Sequence, residues 1–136
     1  MNKLFSALVG VLFTSVASSG YASNWQKVGV IDTSFGETTI EVDGSSIISY
    51  PTYLELWVIF SFPAQIIKGE KMASSMMYIQ VACANRKWRT LSREAYERPR
   101  ANGKLLASSE EETAWTTIKP DTPAAIIHSS ICPEDE

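Results

Sequence analysis

Histidine and cysteine are the scarce residues of this chain: one histidine, His128, and two cysteines, Cys83 and Cys132, in 136 residues. These three groups lack the closely spaced ligand pairs of a zinc site, and there is no C-x-x-C to act as a redox pair. A nucleophile elbow, a phosphate-binding loop and a paired-histidine zinc motif are also missing. Positive charge is not in excess, with 12 basic residues against 15 acidic, so nucleic acid is not the expected partner. No internal repeat or low-complexity segment occurs. The sequence therefore predicts no cofactor and no metal, and it predicts a protein that is not an enzyme. His128 lies beside Ser129 and Ser130, but adjacent helical residues do not face each other, so the trio is not a catalytic arrangement. A hydrolase would need a cleft of converging polar groups, and no motif here displays one.

Long apolar sequence is also rare. A short apolar, uncharged stretch, Leu4 to Val16, follows Lys3 and leads to small residues ending in Gly20-Tyr21-Ala22. That order is a secretory signal peptide, with cleavage between Ala22 and Ser23. Its apolar core is roughly a dozen residues, whereas a spanning helix needs about 20. Residues 1–22 are read as the leader and residues 23–136 as a single domain. No cysteine lies near the cut to carry lipid. Glu55 and Ser61 interrupt the only other apolar candidate for a transmembrane segment. The expected location is beyond the inner membrane, in the periplasm or at the cell surface or secreted, without a lipid anchor. The leader holds one of the 12 basic residues, leaving 11 against 15 acidic ones, a net of −4.

Export decides the reading of the cysteines. An even count in an oxidising compartment predicts a disulfide, and two cysteines allow one pairing, Cys83 with Cys132. It would close a loop of about 50 residues and contribute roughly 4 kcal/mol in the chain-entropy account.

Strand patterns dominate the rest. From Tyr53 to Phe62, Leu54, Leu56, Val58, Phe60 and Phe62 alternate with Tyr53, Glu55, Trp57, Ile59 and Ser61, the mark of a half-buried antiparallel strand. Pro63 is expected to end it. A second strand runs from about Met72 to Cys83, Ala84-Asn85 turns, and Lys87 to Tyr96 returns. Weaker strands are read at Trp25 to Ile31, Glu37 to Val42, Lys104 to Ser109 and Thr113 to Ile118. Asp43 to Ser46 carries turn chemistry, followed by Ile47-Ile48 as a short apolar plug. Asn102-Gly103 is the expected tight turn. Glu110 to Glu112 reads as a solvated turn, lacking the glycine-bearing loop of a calcium site. Finally, Asp121-Thr122-Pro123 offers a cap and a first-turn proline, and Ala124, Ile127 and Ile131 fall on one helical stripe. The predicted class is α+β: an antiparallel sheet of about six strands with one C-terminal helix packed on it and held by the disulfide.

The segment from Arg86 to Lys104 concentrates positive charge. Arg86, Lys87, Arg89, Arg93, Arg98 and Arg100, with Trp88 and Tyr96 interleaved, are a candidate partner-binding surface for an acidic protein patch or an anionic polymer. The same residues would also suit an ordinary charged edge strand, neutralised by Glu110 to Glu112. Trp57, with Tyr53 and Ile59, is either an aromatic platform or buried under a loop, and an exposed aromatic row would equally serve a homodimer.

A spaced pattern completes the reading. It runs through Trp25, Asp43 with Ser46-Ile47, Trp57, Cys83 with Arg86 and Arg89, Tyr96, Gly103, Trp115, Pro120 and Cys132. In that pattern, covering nearly all of Ser23 to Cys132, the chain resembles the surface-adhesin protein E family of Gram-negative bacteria. The resemblance implies an antiparallel sheet with a C-terminal helix held by a disulfide. It also implies attachment to host cells and binding of matrix and serum proteins. The family's characterised adhesins are outer-membrane lipoproteins, and this chain departs from them in lacking the lipidation cysteine. The alternative expectation is a periplasmic accessory or ligand-binding domain with no adhesive role.

Overall fold

The computed structural model describes residues 23–133. The leader read over residues 1–22, and with it Ala22 and the cleavage position, lies outside the described residues. Six long antiparallel strands follow one another in the sheet: β1 (Trp25–Thr33), β2 (Gly36–Asp43), β4 (Leu54–Ile67), β5 (Glu70–Ala82), β6 (Lys87–Arg98) and β7 (Asn102–Ser109). Two short strands fill the edges these leave: β3 (Ile48–Ser49) pairs with the start of β4, and β8 (Thr116–Thr117) with the start of β6. Among the described residues one α-helix, α1 (Pro123–Ile131), follows the strands.

Strand pairing sorts the side chains. Val42 lies opposite Val58, Ile40 opposite Phe60, Leu56 opposite Ile79 and Val58 opposite Met77, so the apolar sets of β2, β4 and β5 share one face. α1 packs on that face with Ala124 and Ile127 buried, and Ile118 joins them. The helix begins as its sequence predicts: Thr122 Oγ1 accepts from the Ala125 N–H at 3.2 Å, and Pro123 occupies the first turn. It approaches β1 at Gly29, where a Cβ would stand 2.8 Å from Ile126 Cγ2. At the other end, Cys132 leaves the helix and bonds to Cys83, with Cα atoms 5.6 Å apart. His128 latches the same corner, its Nε2–H donating to the Cys83 carbonyl at 3.0 Å.

Four local features differ from the sequence reading. β4 does not stop at Pro63 but continues to Ile67. The register steps from Ser61 opposite Ser74 to Gln65 opposite Met72, so Phe62, Pro63 and Ala64 face Ala73 alone. Within that bulge Pro63 owes the ladder no donor. β5 then begins at Glu70, after a two-residue turn in which Lys68 (φ 52) and Gly69 (φ 79) are both left-handed, the hairpin geometry that matches strand twist. Ile47 and Ile48 are exposed and plug nothing.

The reversal expected at Asn102-Gly103 sits earlier, in a single 3-10 turn over Pro99–Ala101, with Asn102 and Gly103 already in β7. Arg100 (φ 61) and Ala101 (φ 57) both adopt the left-handed region, which disfavours side chains. Long-range contacts hold them there. The Arg100 N–H donates to Ser61 Oγ at 3.0 Å and the Ala101 N–H to Ser74 Oγ at 2.9 Å. The Arg100 guanidinium grips Glu41, with Nη2 2.9 Å from Oε2 and Nε 3.1 Å from both oxygens.

Candidate partner-binding surface

The sheet face away from α1 carries a polar row one residue wide. Pairing sets Glu55, Gln80 and Arg89 side by side on β4, β5 and β6. Gln80 Nε2 donates to Glu55 Oε2 at 2.6 Å, and Arg89 Nε donates to Gln80 Oε1 at 2.8 Å. Tyr78 Oη donates to the other Glu55 oxygen at 2.8 Å. Burial, with the bond to Glu55, pushes the Tyr78 hydroxyl up to about 12. Gln80 is buried, and among the described residues no buried side-chain polar atom lacks a partner.

Arg89 ends this row and begins an aromatic one. Its guanidinium carbon stands 4.9 Å from the centre of the Trp115 ring, and Nη1 lies 3.6 Å from Glu112. Trp115 approaches Tyr53 at 6.2 Å between centroids, and Tyr53 stacks on Tyr50 at 4.9 Å. Tyr50 and Trp115 remain 39% and 37% exposed, and Ile48, opposite Glu55, 46%. Arg89 is thus fixed by Gln80, Glu112 and Trp115 beside exposed rings. That is the composition and the preorganisation of a protein-binding hot spot.

Toward the middle of the same face, Trp57 lies over Tyr78 with ring centres 4.9 Å apart and is half-buried. A shallow depression of about 340 Å³ is lined by Trp25, Asp43, Trp57, Ile59, Tyr96 and Arg100, among others. Burial raises the Asp43 carboxyl. Bonds from the Ser45 hydroxyl, the Asn24 and Ser45 N–H groups and the Ser23 hydroxyl outweigh it, and the net shift is downward. Tyr96 is pushed up to about 12 by its bond to Glu94 and by burial.

The basic segment is not brought together as one surface. Arg86 lies in the β5–β6 turn, with Nη1 3.5 Å from His128 Nδ1. Lys87 is exposed at the start of β6, and Trp88 packs against the core. Arg93 lies on the α1 side of the sheet. Arg98 and Arg100 occupy the far end of β6 and its turn, where Arg100 holds Glu41. The split follows from a bulge. Thr90 pairs with Ile79 but Ser92 with Tyr78, so Leu91 is an extra residue, and Arg93 changes face relative to Arg89. Of the acidic trio, Glu112 reaches Arg89. Sequence reasoning missed Trp115 as the partner of Arg89, 26 residues away, and Tyr50 as the end of the aromatic row; Glu55 within an apolar strand was the one local sign of a polar row.

The described residues contain no group of three or more histidine, cysteine, aspartate or glutamate side chains able to hold a metal ion, and no helix among them is long and apolar enough to cross a membrane. The chain matches the family model described as Surface-adhesin protein E over residues 25–133. No curated protein matches it. Among solved structures it is similar to Haemophilus influenzae protein E, at 15% identity and a TM-score of 0.58, covering 78% of this chain and 83% of the other. A second crystal form of that protein gives 16% identity and 0.60, covering 78% and 86%. Its selenomethionine form gives 16% and 0.59, covering 84% and 89%. At such identities the structures establish a shared fold. The family match spans most of the chain, which belongs to the surface-adhesin protein E family.

Proposed function

We propose that this member of the surface-adhesin protein E family is an exported, non-enzymatic protein. It binds a protein partner through the surface built around Arg89, Trp115, Tyr53 and Tyr50. One observation carries the reading: an arginine already immobilised by Gln80 and Glu112 stands over an exposed tryptophan in a row of tyrosines. Holding these groups before contact removes part of the ordering cost of association. Lys87, exposed on the same face two residues before Arg89, would add positive charge at the rim, favouring an acidic patch on the partner. The family supports extracellular-matrix or serum proteins of a host as the partner class.

A second reading is a periplasmic accessory or ligand-binding domain with no adhesive role. The bond between Cys83 and Cys132 supports it equally, since the periplasm is an oxidising compartment in which such bonds form. Protease treatment of intact cells separates the two readings, with a periplasmic protein as control. Cleavage of this chain while the control survives places it at the surface. Protection until the outer membrane is opened would contradict adhesion and leave a periplasmic binding domain.

A further inference from the structure

α1 is too short to cover its face of the sheet. Nine helical residues reach about 13 Å, whereas the 12 to 14 residues of β4, β5 and β6 reach roughly 40 Å. The uncovered half is a trough of about 740 Å³ between α1, the β1–β2 hairpin tip and β7. Its apolar surface comes from Phe60, Phe62, Met77, Ala95 and Ala107, with Phe35 at one end, its ring 4.8 Å from that of Phe62. An apolar hollow of this volume, edged by a few polar groups, is the usual form of a small-molecule site.

The polar edge is cationic. The Leu91 bulge turns Arg93 to this side, opposite Met77, and Arg93 Nη2 donates to Thr90 Oγ1 at 3.3 Å. Among the described residues Arg93 pairs with no carboxylate. Glu94, the only acidic residue lining the trough, accepts from Tyr96 Oη at 2.7 Å instead. A second copy docked here about a twofold axis would bring another arginine, and the acidic residue it would bring, Glu94, is already engaged by Tyr96. A single apolar chain ending in a carboxylate satisfies both halves of the site.

We propose that the trough binds a long-chain fatty acid, with its tail along Phe60, Phe62 and Met77 and its carboxylate on Arg93. The test is fluorescence titration of the purified domain with cis-parinaric acid, followed by displacement with oleate and with methyl oleate. Saturable uptake of one probe per chain is expected. Methyl oleate should need about tenfold more than oleate to displace it, because it lacks the charge-assisted bond. Arg93→Gln should weaken oleate by about tenfold and leave methyl oleate unchanged. Ala107→Trp, which fills the trough, should abolish uptake, and Trp115→Ala on the other face should not alter it. Three results would overturn the proposal: no saturable uptake, with the protein instead recovered on phosphatidylglycerol vesicles; no uptake by a protein that light scattering shows to be a dimer; or equal oleate affinity in wild type and Arg93→Gln. Since Arg93 is exposed, that variant remains informative should Ala107→Trp fail to fold.

Discussion

The guanidinium carbon of Arg89 stands 4.9 Å from the centre of the Trp115 ring, and the same side chain reaches back to Gln80. One residue therefore links a buried polar row to an exposed aromatic one, and substitution at its two ends should destabilise for different reasons. Trp115→Ala removes a ring that is 37% exposed and packs on Arg89 and Tyr53, and should lower stability by about 2 kcal/mol through lost packing. Arg89→Ala leaves the Gln80 oxygen buried without a donor and should cost about 1–2 kcal/mol. Urea unfolding of both variants measures the two losses.

The Arg100–Glu41 clamp gives a second expectation. Glu41 is buried, so Arg100→Ala should cost about 2 kcal/mol or more by leaving a buried carboxylate without its cation. Arg100→Gly loses the same ion pair but suits the left-handed backbone, and should be less destabilised than Arg100→Ala by about 1 kcal/mol. Equal stabilities for the two would show that backbone strain plays no part.

Reduction of the disulfide should cost up to about 4 kcal/mol, from the loop of 49 residues that it closes. The loss should appear as a lower urea midpoint in reducing agent, and Cys83→Ser with Cys132→Ser should reproduce it. In the reduced protein, amides of α1 should exchange with deuterium before those of β4 and β5, because the bond that tethers the helix at this corner is gone.

The dependence on pH follows from three groups. The Asp43 carboxyl is lowered on folding, so its contribution is present above 3.8 and is lost as pH falls through the folded value. Tyr78 and Tyr96 are raised from 10 to about 12, so their contribution is present below pH 10 and lost as pH rises toward 12. Asp43→Asn should flatten the acid limb of a stability profile, and Tyr78→Phe the alkaline limb.

The six long strands and the terminal helix were legible because their signals are local. Alternation from Leu54 to Phe62 sets a face, and Thr122-Pro123 starts a helix. The disulfide followed from the cysteine count once export was assumed. What escaped the sequence depends on distant partners. β4 passes Pro63 because β5 supplies a single residue opposite three. The turn at Arg100 and Ala101 needs Glu41, Ser61 and Ser74, which lie 27 to 59 residues away. The basic segment looked like one surface because nothing near Leu91 announces a bulge. A single unpaired residue sends Arg89 and Arg93 to opposite sides of the sheet.

That division makes the decisive measurement a comparison of faces. Immobilised matrix and serum proteins would be titrated with wild type, Trp115→Ala and Arg93→Gln at low and high salt. Trp115→Ala should lose about 2 kcal/mol or more of binding while Arg93→Gln keeps it, and salt should weaken wild type. Retention of binding by Trp115→Ala, with loss in Arg93→Gln, would place the partner on the other face and rule out the Arg89–Trp115 surface.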